Sequence, residues 1–423
     1  MENVNVTKSG NVAASYIRLG HWMNGVLYIP SGEQKPVGVV ILHSDADYLN
    51  FIGGENLAKR GFLTLCANVE HASDPLEKKL PSVKLAIDTM KKQPGIEKVV
   101  ILGHSGGATL MSCYQAVAEN GAEIFRDENR IVKMGEVPPL TAADGIMLID
   151  SNFGNGVMTL VSLEPGILDE TSGVAVDKKY AGGSPENGFR ENGETHYSEE
   201  FKEMFYAAQA ARQERLINFA KERLAALEQH RGRFFDDEPM LVPGGSQIAP
   251  CNKLFPADLG MLAHTKKEYD LLHGDGSVTH QVIPSVRTAR GGMDPTPVFG
   301  FGAMNTTVKT YLSSNCVRTT ADYCVTEDGI TGIDYDSAFC CTPGNVKYIH
   351  APMLIMGMTA GYEFMASEVI YENAASTEKT IAFVEGATHM LTTAKDAEKV
   401  PGQFGDATAV LFDYAAKWLD ASF

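Results

Sequence analysis

Residues 97–115 read EKVVILGHSGGATLMSCYQ, and one serine in them, Ser105, stands among Gly103, Gly106 and Gly107. A serine hydroxyl attacks an acyl carbon only when it projects free of its surroundings and a base can take its proton. The apolar run at 99–102 predicts a strand buried on both faces, and the residues after Gly107 predict a helix. Ser105 then falls on the turn between them. G-x-S-x-G in that setting is a nucleophile elbow: crowding excludes side chains beside the serine, and Oγ is left above the sheet edge. The first N–H groups of the helix favour negative charge developing nearby. The five-residue pattern alone arises by chance in a glycine-rich chain; the strand before it and the helix after it carry the argument.

The elements that must hold this turn surround it. ASYIRL and NGVLYIP read as two strands joined by a turn, and VGVVILHSD (37–45) and FLTLCANV as buried strands. ENLAKRG suits a helix ending at Gly61, LPSVKLAIDTMKKQPG a helix stopped by Pro94 and Gly95, and DGIMLIDS (144–151) a further strand. Strands alternating with helices predict βαβ units, an α/β class and a mostly parallel sheet, with the first two strands as its antiparallel edge. The alternation stops after Ser151 and resumes at APMLIMGM (351–358), followed by a helix near SEVIYENAA, a strand KTIAFVEGA and a last helix DATAVLFDYAAKWLDA. The core is therefore expected in 1–151 and 346–423, with 152–345 inserted between two sheet strands. Within the insertion a long amphipathic helix is predicted at about 198–231. Phe201, Met204, Phe205, Ala208, Leu216, Phe219, Ala220, Leu224 and Leu227 form its apolar ladder. Ser198, Glu199 and Glu200 suit its start and Gly232 its stop. Its apolar face should lie on the core, a coiled-coil partner being the alternative. HGDGSVTH and ARGGMDPTPVFGFGAMN read as irregular loops.

Composition bounds the classes of function. The 423 residues are 44% hydrophobic and 21% charged, ample for a packed core. A formal net charge of -17 argues against nucleic-acid or anionic-membrane partners, which need clustered Lys and Arg. Seven cysteines without a CxxC spacing argue against a disulfide framework or a zinc site. Cys66 and Cys113 sit in apolar runs, and Cys251, Cys316, Cys324, Cys340 and Cys341 in the later half; reduced, buried thiols are expected. MENVNVTKSGNV lacks the plan of a signal peptide, and no apolar run is long enough to span a membrane, so a cytoplasmic protein is expected. A homo-oligomer is left open.

Through GHSGG (103–107), VVILHSD (39–45) and VEGATH (384–389) the chain resembles the α/β-hydrolase superfamily. The resemblance covers about 1–151 and 346–423. It implies a central sheet of about eight strands, a serine–histidine–acid triad in that chain order, and a cap or lid entering where 152–345 is inserted. The implied base is His389, just after the last strand. His104, next to Ser105 in sequence, must point elsewhere and is expected to pack. The acid departs from the family pattern: the third residue past Gly357 is Ala360, and GMTAGYEFMASE contains no aspartate. Asp150, at the tip of the strand before the insertion, and Glu363 are the alternatives, with Glu368 behind them. Gly106 N–H and an N–H of Asp45 or Ser44 are the implied oxyanion donors; side chains of Asp45 or Asp47 turned inward would repel an anionic substrate.

The expected activity is hydrolysis of a carboxylic ester or lactone of a mainly apolar small molecule, through an acyl-enzyme on Ser105. Met204, Phe205, Phe234, Phe235, Phe299, Phe301 and Met304 suggest the apolar cleft, though a packed lid would have the same composition. No cofactor or metal is expected, since HExxH, P-loop and dinucleotide fingerprints are missing. The same triad in the superfamily serves amide or C–C bond hydrolysis, cyanohydrin cleavage and acyl transfer. A non-catalytic ligand-binding protein on this fold is the alternative of a different class.

Overall fold

A computed structural model describes residues 6–9, 12–171, 175–191, 195–247, 253–289 and 302–423. The chain opens with β1 (Val6–Ser9), β2 (Val12–Arg18), β3 (Asn24–Pro30) and β4 (Val37–Leu42), then α1 (Ile52–Ala58), β5 (Leu63–Ala67) and α2 (Leu76–Met90). β6 (Lys98–Ser105) runs straight into α3 (Gly106–Asn120), and β7 (Gly145–Ser151) is followed by the short α4 (Asn155–Leu160). α5 (Glu199–Glu228) comes next, then β8 (Pro239–Val242), β9 (His264–Leu272), β10 (Val278–Pro284), β11 (Met304–Thr307), α6 (Val308–Ser314), β12 (Arg318–Val325), β13 (Ile330–Asp334) and α7 (Thr342–Asn345). β14 (Met353–Met358), α8 (Phe364–Asn373), β15 (Lys379–Val384) and α9 (Ala407–Ser422) complete it.

Among the described residues the main sheet has eleven strands in the order β1-β2-β3-β5-β4-β6-β7-β14-β15-β9-β10. From β5 through β9 every pairing is parallel, and antiparallel pairs close both edges. Successive side chains of a strand point to opposite faces, so the apolar runs feed two cores. Val40, Leu42, Val99 and Ile101 meet α2 and α3 on one face, where the inserted region also packs. Val39, Ile41, Val100 and Leu102 meet α1 and α9 on the other.

The sheet is wider than the about eight strands expected, because β1 extends one edge and the β9–β10 hairpin the other. HGDGSVTH, read as an irregular loop, is the turn of that hairpin together with the start of β10. Its strand signal was masked because β9 and β10 face solvent along much of their length, β9 with charged residues there. ARGGMDPTPVFGFGAMN falls mostly on 290–301, outside the described residues, as do Phe299 and Phe301.

α5 starts where expected: Ser198 Oγ accepts Phe201 N–H at 3.2 Å. It ends at Glu228, and Gly232 is not its stop. Its buried face is broader than the ladder, because Gln209, Arg212 and Gln213 are buried while Phe219 is 51% exposed. Those polar groups are satisfied. Gln209 Nε2 donates to Leu163 O at 2.8 Å, and Arg212 reaches both Glu170 oxygens at 2.7 Å as well as Glu164 O and Pro243 O. The helix is thus anchored as much by hydrogen bonds as by apolar contact.

Cys66, Cys113, Cys316, Cys340 and Cys341 are buried free thiols, Cys324 is a half-buried one, and Cys251 lies outside the described residues. Among the described residues no helix is long and apolar enough to cross a membrane.

Candidate active site

Crowding at the elbow explains its glycines. A Cβ on Gly103 would stand 2.6 Å from Ala108 Cα, and one on Gly107 would stand 2.7 Å from Leu42 O. Ser105 itself carries φ 54° and ψ -129°, a conformation that costs a non-glycine residue about 1–3 kcal/mol and persists only where its surroundings hold it. Gly106 begins α3, so its N–H is one of the first-turn groups left without an intrahelical acceptor.

The imidazole beside Ser105 arrives from the far end of the chain. His389 Nε2 accepts Ser105 O–H at 2.9 Å. On its other side, His389 Nδ1–H donates to Asp150 Oδ2 at 2.6 Å. Glu363 is farther from the same nitrogen, at 4.0 Å, and Glu368 is turned away to accept the N–H groups of Lys266 and Lys267. Of the three acids considered, the structure brings Asp150 into contact with the imidazole.

Asp150 gets there through a bulge. The β6–β7 register pairs His104 with Ile149 and then Ser105 with Ser151, skipping Asp150, whose φ is 43°. A bulge of this kind re-aims one side chain at a strand end. Its second oxygen, Oδ1, accepts Met358 N–H from the end of β14 at 2.8 Å. Burial pushes the Asp150 carboxyl up to about 6; the His389 hydrogen bond and charge pull it down, and the Glu363 charge adds to the rise.

His104 is packed and also bonded. Its Nε2 lies 2.7 Å from His389 O, a carbonyl that can only accept, so Nε2 carries the proton and Nδ1 accepts from Tyr48 O–H at 2.6 Å. Burial, with the neighbouring His389 ring adding to it, holds His104 well below the usual histidine range and therefore neutral. Sequence reasoning missed the Tyr48–His104–His389 relay because its members are 56 and 285 residues apart along the chain.

Asp45 N–H and Ala46 N–H both turn onto His43 Nδ1, at 3.2 and 3.0 Å, and the Asp45 carboxylate is 2.9 Å from the same nitrogen. The Asp45 amide named as an oxyanion donor is therefore engaged elsewhere in this structure. The tight 43–46 turn, which closes on the imidazole, is the reason. Asp47 accepts from Leu49 N–H within its own loop and from Asn68 Nδ2–H just past β5. Asn155, also missed, lies against the elbow: its Oδ1 is 2.9 Å from where a Gly106 Cβ would stand, and its Nδ2 donates to Ser44 Oγ at 3.2 Å. One of the two asparagines in SNFGNG offers no sequence signal.

Two cavities flank this arrangement. One, of about 450 Å³, is lined by His389, Glu363, Arg287, Tyr362, Met390 and neighbours. Burial lowers the Arg287 guanidinium to about 10, and its Nη groups clamp Leu262 O and Met261 O. The other, of about 580 Å³, is lined by Asp45, Lys79, Asn155, Gln247, Asn315 and neighbours. Both walls are rich in polar groups. Of the residues read as an apolar cleft, Met304 lines a cavity, Phe205 is buried, Met204 is half-buried, and Phe234 and Phe235 are 58% and 84% exposed. Most of the described aromatics and methionines of this set therefore pack or lie at the surface, as the packed-lid alternative has it, while Met304 faces a cavity.

Asp150, Glu363 and His389 place ligating atoms within 4.8 Å of one another. A cation there would compete for the Nδ1 that donates to Asp150.

No family profile and no curated protein matches the sequence. Among solved structures the chain is similar to the siderophore hydrolase EstB from Aspergillus fumigatus, at 11% identity over 99% of this chain and 100% of that one, TM-score 0.46. It is also similar to Est1E from Butyrivibrio proteoclasticus, at 11% identity over 100% and 99%, TM-score 0.39. A hormone-sensitive lipase from a metagenome library is similar at 10% identity over 99% and 88%, TM-score 0.41. By its own strand order, its crossover helices and the strand–elbow–helix at Ser105, the chain has the α/β-hydrolase fold.

Proposed function

We propose that the chain is a serine hydrolase that cleaves carboxylic esters or lactones through an acyl-enzyme on Ser105. The observation that carries this reading is the continuous Ser105–His389–Asp150 hydrogen-bond chain, with spacings of 2.9 and 2.6 Å, ending on a strained elbow. Ser105 Oγ attacks the acyl carbon while His389 Nε2 takes its proton, and Asp150 steadies the imidazolium that results. Gly106 N–H donates to the tetrahedral oxyanion, and a second donor comes from the 43–46 turn after a small rotation of its peptides. The oxyanion then collapses; the C–O bond to the leaving alcohol breaks, and that oxygen receives the proton held by His389. Water, deprotonated by the same His389, attacks the acyl-enzyme and releases the acid and a free Ser105.

The test is a fluorophosphonate probe with a panel of p-nitrophenyl esters. Labelling should require Ser105, vanish in Ser105→Ala and survive substitution of other serines. Ester turnover should fall by at least about 10⁴-fold in Ser105→Ala. Labelling that persists without Ser105, or turnover of no ester in the panel by a folded protein, would count against the proposal.

A further inference from the structure

Lys79 is the buried cation that this mechanism does not use. It lies in the first turns of α2, only 4% exposed, and faces the 580 Å³ cavity that also touches Asn155 at the elbow. Its Nζ makes no hydrogen bond or ion pair with any described residue. With no partner of its own, this ammonium on the cavity wall is available to an anion that enters there. Burial lowers its affinity for the proton, while the charges of Asp45, Asp74 and Glu77 oppose that. None of the three is an ion-pair partner of Lys79, and the Asp45 carboxylate is turned onto His43. The rest of the wall is amide and hydroxyl, including Gln247, Asn315 and Thr310, with Ala72 and Met304 as its apolar part.

We infer that this cavity is a subsite for a carboxylate borne by the substrate, held by Lys79 while its ester group lies at Ser105. The inference rests on the serine-hydrolase reading and narrows its substrate class to esters carrying a second, anionic acid group. Lys79 is the one cation on the described wall and Asp45, whose carboxylate is turned onto His43, offsets part of its charge, so the site suits a single carboxylate, and a dianionic phosphate would be repelled.

The experiment compares monoethyl esters of dicarboxylic acids of four to eight carbons with ethyl esters of monocarboxylic acids of the same chain length, by titrating the acid released. At the best length, kcat/KM for the charged ester should exceed the neutral one by about ten- to hundredfold, the range of one charge-assisted hydrogen bond. That ratio should collapse toward unity in Lys79→Met and Lys79→Gln and persist in Lys79→Arg. No preference in the natural protein, or an undiminished ratio in folded Lys79→Met, overturns the inference. A second arm separates it from the catalytic reading: monoethyl adipate should bind Ser105→Ala in a calorimeter, and binding should be lost in the Ser105→Ala, Lys79→Met double variant. Binding that depends on Lys79 supports the subsite even if Ser105 proves inert, whereas binding indifferent to Lys79 overturns it even if Ser105 is the nucleophile.

Discussion

At the residue scale the two carboxylates around His389 are separable. Asp150→Asn should lower kcat by about 10²–10⁴-fold, because an amide holds the wrong tautomer of the base. Glu363→Gln, whose oxygen is 4.0 Å away, should cost less than about tenfold, and steady-state kinetics on one ester compares them. Their pH profiles add a sign. The Asp150 carboxyl is raised from 3.8 to about 6, and the ionised form is the working one, so kcat/KM should fall as pH drops through about 6. Removing the Glu363 charge removes one cause of the rise, so the acid limb of Glu363→Gln should move to lower pH. The stability linkage runs the other way: with the folded value raised, the contribution of Asp150 is present below 3.8 and lost as pH climbs through about 6. His104 acts through the backbone of the base. His104→Ala should lower kcat by about tenfold or more while leaving fluorophosphonate labelling of Ser105 detectable, and Tyr48→Phe should follow it more weakly. Equal labelling rates and kcat in both variants and the natural protein would deny the relay any positioning role.

Elements carry the second set of expectations. α5 is held to the body by Arg212, which has no solvent exposure and spans Glu170, Glu164 O and Pro243 O. Arg212→Met strands those acceptors and should destabilise the protein by about 3–5 kcal/mol, read as a lower urea midpoint. At the other end of the helix, Arg223 forms a two-pronged pair with Glu238 and pulls its carboxyl down to about 2, helped by the Arg233 N–H. A depressed carboxyl contributes stability above its ordinary 4.5 that is lost as pH falls toward 2, so acid unfolding of Glu238→Gln should be less steep across that window. The apolar ladder of α5 was legible; its polar anchors were not. A glutamine or arginine on a predicted helix reads as a solvent residue until its acceptors, dozens of residues away, are placed.

For the whole molecule, the pattern of burial predicts the order of local opening. β4, β7 and β14 are buried along their whole length in the middle of the sheet, whereas β10 is an edge with Val278 55% and Val282 39% exposed. Amide hydrogen exchange should be slowest in the central strands and faster by orders of magnitude in β10. The parallel arrangement from β5 to β15 was readable as a class, since apolar runs alternating with helices have few other solutions. The edge hairpin was not, because β10 is exposed on both faces for most of its length and β9 over a run of charged residues, so neither shows clean period-two alternation.

Local chemistry in the sequence was enough to place Ser105 on its turn: glycines at 103, 106 and 107 with a buried strand and a helix on either side admit few geometries for it, since a Cβ at 103 or 107 meets backbone. The position of His389 after the last strand was legible for a related reason, the regular succession of β and α. Bringing Asp150 rather than Glu363 against His389, turning the Asp45 amide onto His43, joining Tyr48 to His104, and leaving Lys79 without a hydrogen bond on a cavity wall were decided by the tertiary structure. Each depends on a bulge, a turn or a packing distance between segments far apart in the chain, and short-range sequence pattern carries no term for such distances.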